Sequence, residues 1–135
     1  MSILAIKAAI ETALNGITPA LSTAWENVLF TPVINVPYQY VRFIGFIPDT
    51  PEVTKSHRLC GYCQVELYYP LGVGSNAVMT RAELIKNRFK KGAAFLADSV
   101  ITTITNTPEI SSGRNEGDRW KVIVKIDYSA WIIVS

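Results

Sequence analysis

Charge is scarce in this chain. Asp, Glu, Lys and Arg make up 18% of its 135 residues, where a soluble domain usually carries about 25%. A folded surface built from so few charges favours a protein covered by partners. Thirteen Lys and Arg against eleven Asp and Glu leave a net charge of +2, too mild for a nucleic-acid footprint. Histidine occurs once and cysteine twice. Two cysteines cannot build a disulfide framework, so a reducing interior is the expected setting. No apolar run reaches the ~18 residues that span a bilayer. The opening Met1 to Lys7 has no basic stretch ahead of its apolar residues, which argues against a secretory leader. Apolar residues are what the chain has in quantity: 49% of it is hydrophobic, which excludes intrinsic disorder. At this length one core suffices, and a single domain over 1–135 is expected.

Ile3, Ile6, Ile10, Leu14 and Ile17 recur at three- and four-residue steps after Ser2, which predicts an N-terminal helix ending near Asn15-Gly16. Residues 18–37 carry three prolines and scattered aromatics and read as an ordered connection packed on the body, with little regular structure beyond one short strand. Tyr38 to Ile47 has the composition of a strand. Residues 48–57 read as a loop, and Arg58 to Tyr69 alternates as a second strand. A second helix is expected from Ser75, Asn76 or Thr80, with Thr80 and Glu83 as a capping box and Val78, Ala82, Ile85 and Phe89 as its buried stripe. Val100 to Thr105 is β-branched throughout, and residues 108–111 add a short extended piece before a polar loop at 112–118. Trp120, Val122, Val124, Ile126, Tyr128 and Ala130 alternate with Arg119, Lys121, Lys125, Asp127 and Ser129, until Trp131 and Ile133 make the outer face apolar too. Helix, strands, helix, strands predicts an α+β fold: a mainly antiparallel twisted sheet of four to five strands, with two helices on one face.

Reactive chemistry is hard to find. Cys60 and Cys63 spell C-x-x-C, but an odd separation on a strand points them to opposite faces, and neither a second pair nor a helix N-terminus supports zinc or redox chemistry. His57, alone in a polar loop, cannot anchor a catalytic triad. Gly72-Val73-Gly74 before a helix lacks the rest of a phosphate-loop signature. Lys86 to Lys91 crowd a helix end, where cations complement the dipole. The acidic residues are scattered and share no metal-ligand spacing. No catalytic, cofactor or metal residue is assigned.

Three patterns in order suggest a relationship. Thr23-Ala24-Trp25-Glu26-Asn27-Val28-Leu29-Phe30-Thr31-Pro32 follows the first helix. Gly61 to Pro70 with Gly72 and Gly74 leads into the second helix, which ends near Phe89-Lys90-Lys91-Gly92. Gly117-Asp118-Arg119-Trp120 opens the last strand. In this arrangement the chain resembles the tail-terminator-like (tail completion, minor tail) proteins of long-tailed bacteriophages. The resemblance implies a non-enzymatic virion protein of the tail and neck, assembled in the bacterial cytoplasm without cofactor. It implies a homo-oligomeric ring, typically hexameric, that caps the tail tube, halts its polymerisation and offers a docking face to the head–tail connector. Tube protein, connector and further copies would be its partners, with nucleic acid and membrane not among them. Trp131 and Ile133 on the outer face of the last strand, and Arg114 and Arg119 beside the polar loop, are the expected interface residues.

Overall fold

The computed structural model describes residues 2–49 and 56–133, with side chains over 3–45 and 58–131. The first apolar stripe forms α1 (Ser2–Asn15). Ile6, Ile10 and Leu14 are fully buried, and Ala5, Ala9 and Ala13 bury the flank beside them. Ile3, in the first turn, is 43% exposed. After β1 (Ser22–Ala24) the chain enters β2 (Tyr38–Asp49) and β3 (Ser56–Pro70). The loop expected over 48–57 is therefore shorter: Pro48 and Asp49 pair with Leu59 and Arg58, and its remainder lies outside the described residues.

The second stripe forms α2 (Asn76–Arg88). Thr80 lies inside it and its hydroxyl donates to the Asn76 carbonyl at 2.7 Å, so the capping box does not form and the earlier start applies. Val78, Ala82, Ile85 and Phe89 are fully buried as the spacing requires. The buried Arg81 donates to the Pro19 carbonyl, tying α2 to the connection after α1.

The C-terminal half adds β4 (Ala94–Ala97), β5 (Val100–Ile104), β6 (Glu109–Ile110), β7 (Arg114–Glu116) and β8 (Arg119–Ile133). The class is α+β, but the described residues form one sheet of eight strands rather than four to five. Its order is β1-β2-β3-β8-β5-β4, with β6 and β7 also on β8. The extra strands are two to four residues long, too short to display a period of two. The sheet is mixed because β1 runs parallel to β2. The polar loop at 112–118 is a tight hairpin, with Arg114 to Glu116 paired to Lys121 to Arg119 across a turn at Gly117 (φ 62°).

Inward residues of β3 (Cys63, Val65, Leu67) and β8 (Val122, Val124, Ile126, Tyr128, Ala130) join both helices in one apolar cluster. A bulge between Ile44 and Ile47 turns the Gly45 carbonyl inward, where the Tyr128 hydroxyl donates to it at 3.0 Å.

Candidate assembly surfaces

The residues singled out for possible chemistry are dispersed over the fold. Among the described residues no three His, Cys, Asp or Glu side chains could share a metal ion. Cys63 is buried in the core, while Cys60 faces the other way, its Sγ 3.9 Å from the Ser129 hydroxyl. His57 pairs with Ile132 through its backbone; its side chain lies outside those described. Arg88, at the end of α2, stands 4.9 Å from the centre of the Phe95 ring, and Lys90 and Lys91 are exposed. Gly72 and Gly74 both have φ near 81°, the left-handed backbone of a turn.

The face of the last strand that reads as polar lies away from the helices, and two charged residues on that side of the sheet are buried. Tyr38 and Tyr40 of β2 share this face with Tyr62, Glu66 and Tyr68 of β3 and with Lys121 and Lys125 of β8. Glu66 is 4% exposed and Lys121 8%. The Glu66 carboxylate accepts from the Tyr68 hydroxyl at 2.8 Å, with Lys121 Nζ at 3.5 Å and Arg42 Nε at 3.6 Å. Burial, with the bond to Glu66 second, pushes the Tyr68 phenol above its ordinary range. Lys121 and Lys125 also stand over the rings of Tyr68 and Tyr62. Three strands are thereby tied through one carboxylate whose donors are all committed. Such a network helps to set register.

Several large apolar side chains are exposed as well. The register places Leu96 of β4 opposite Ile101 of β5, and Ile101 opposite Trp131 of β8. Residues directly opposite share a face, so the three form one row, exposed by 71%, 48% and 43%. Arg58 of β3, opposite Trp131, lies with its guanidinium 5.4 Å from the indole centre. At the far end of β8, residues 28–36 project Val28, Leu29, Val33, Ile34 and Val36 into solvent.

The four expected interface residues are not brought together. Trp131 belongs to the exposed row. Ile133 ends β8 opposite Ser56, and its side chain lies outside those described. Arg114 is exposed on the β7 hairpin, 3.8 Å from Glu116. Arg119 is in the interior, 6% exposed, and its guanidinium donates to the carbonyls of Val33 and Val36. It is a clamp beneath the 28–36 segment and offers no free charge to a partner.

Against known proteins, residues 5–128 match the family described as phage tail terminator protein. The chain belongs to the phage tail terminator family. It is thus a structural component of phage tails, and the family's role is structural rather than enzymatic. Among solved structures 11 chains match. One, carrying only a sequence identifier, aligns with 100% of this terminator and 99% of its own length at a TM-score of 0.74 and 22% identity, a likeness of fold. No curated protein matches. No described helix of the terminator is long and apolar enough to cross a membrane.

The residues missed from sequence are Leu29, Val33 and Ile34, together with Leu96 and Ile101. The first three lie in a stretch whose apolar content read as packing on the body. Phe30 does so, its ring centre 5.2 Å from that of Tyr38, but its neighbours point outward. Leu96 and Ile101 become partners of Trp131 only through strand register, which no local pattern carries.

Proposed function

We propose that this terminator subunit closes into a ring on the end of the tail tube, stops the tube from growing, and presents its free face to the head–tail connector. The ring is typically of six copies, in the neck of the virion, with tube protein and connector as partners. The observation that carries the reading is exposed apolar surface at both ends of β8 in a member of the terminator family. A closed ring joins two different patches head to tail, each burying on the order of 800 Å². Against a subunit surface of 7843 Å², two such patches would take about a fifth. Tube and connector would cover more, which fits the low charge content. The Leu96–Ile101–Trp131 row supports one of these contacts and the exposed Arg114 hairpin another.

Particles made without the chain test this. Overlong or polymorphic tails, corrected by supplying the chain in trans, are expected. Tails of normal length that fail to join heads would assign it a connector-side role instead.

A further inference from the structure

The 28–36 segment and the edge of the sheet at β4 lie far apart and match in chemistry. From Asn27 to Pro37 no residue is charged, and Leu29 and Ile34 are exposed by 97% and 81%. The segment is shaped nonetheless. Turns close from the Val28 N–H to the Trp25 carbonyl at 3.2 Å and from the Val36 N–H to the Val33 carbonyl at 3.1 Å. Arg119 holds the carbonyls of Val33 and Val36 from beneath and stands 5.1 Å from the Tyr38 ring, on which Phe30 also rests. Its backbone is therefore fixed while its aliphatic side chains point away from the body. An arm presented in this way loses little freedom when it docks.

Between α1 and β4 runs a groove of about 360 Å³. Ala8, Ala9, Thr12 and Ala13 line one wall and Ala94 to Ala97 the other, with Arg88 the charged residue at its side. Small side chains on the α1 wall let another chain approach the helix backbone, and Phe95 and Leu96 make the β4 wall apolar. β4 is also last in the sheet order, so the ladder on its outer side is open, a feature that proteins generally cover.

The arm cannot reach this groove on its own subunit. It is clamped at Arg119, the first residue of β8, whereas β4 joins the sheet through β5 opposite Trp131. Those positions are separated by up to about 40 Å of strand. We infer that the 28–36 arm of one copy docks in the α1–β4 groove of the next, along the open edge of β4. The inference rests on the ring reading above and names the contact that closes it. A second copy suits both sites: each subunit carries one arm and one groove at opposite ends, so a closed head-to-tail ring covers every one. An arm used on a different protein would leave the groove and the β4 edge bare.

Photo-crosslinking in assembled particles tests this. The full chain carrying Leu29→p-benzoylphenylalanine is supplied during assembly, and purified particles are irradiated and mapped by mass spectrometry. Leu29 is almost wholly exposed, so the probe leaves the subunit fold alone. Adducts to residues 8–13 or 94–97 of another copy are expected, and the reverse, to residues 28–36, from a probe at Ala94. Adducts only to a different protein or to another face of this chain overturn the contact, as does the absence of adducts in particles that contain the probe-bearing chain. If particles lack even the unsubstituted chain, the tail role itself fails, a result separate from the mapping.

Discussion

Burial holds the Cys63 thiol neutral, pushing its pKa from 9.0 up to about 12, with smaller contributions from Asp127 and Glu26. In the unfolded chain the same thiol ionises near pH 9. The stability this gives the native state is complete below about pH 9 and is lost as pH rises towards 12, with a limiting slope of about 1.4 kcal/mol per pH unit. Cys63→Ala should start less stable and then lose less as the solution is made alkaline. Urea unfolding of both proteins at pH 8, 9 and 10 checks this; equal losses would exclude Cys63 as the source. The opposite facing of Cys60 and Cys63 was legible from their spacing alone. The role of Arg119 was not. Its sequence neighbours are a polar turn and a strand, and the carbonyls it holds lie more than 80 residues earlier.

The long strands depend on a close approach of two glycines. A β-carbon on Gly61 would stand 2.1 Å from the Gly45 carbonyl oxygen and 2.9 Å from the Tyr128 hydroxyl. Gly45 itself has φ 77°, a conformation that favours glycine. The bulge thus needs glycine on both strands, and in return it supplies the acceptor for a tyrosine in the core. Gly61→Ala should cost about 2–4 kcal/mol, from overpacking plus the weakened hydrogen bond. Chemical denaturation measures this, and a change below about 0.5 kcal/mol would mean that the bulge relaxes freely. Alternation announced β3 and β8, and three-four spacing announced both helices, because each of these elements buries one continuous face. Short strands were also expected within 18–37 and 108–111, where β1 and β6 lie; β4 and β7 are held by pairing to longer strands and have no face of their own to announce.

For the whole molecule, the exposed row from Leu96 to Trp131 is the proposed contact surface to test first. Trp131 keeps 43% of its surface exposed, so Trp131→Ala should leave the fold intact, at a cost of about 1–2 kcal/mol. It should also lower the fraction of particles with tails of correct length, counted by electron microscopy. Unfolding of the subunit would show that the indole belongs to the core, and normal tails would remove it from the contact surface. Only Trp131 of this row was legible beforehand, as an apolar residue out of place on a polar strand face. Leu96 and Ile101 joined it through cross-strand register.

The sequence by itself determined the α+β class, the two helices with their buried stripes, the three long strands and the separation of the two cysteines. Each of these follows from periodicity within a dozen or so residues, where side-chain direction is set by the local backbone. It also carried the ordered motifs of a tail terminator. Tertiary structure alone decided that Arg119 is a clamp, that Glu66 and Lys121 are buried, and that the aliphatic side chains of residues 28–36 stand outward. Those outcomes depend on which distant strands become neighbours, and burial is a property of that neighbourhood rather than of the residue.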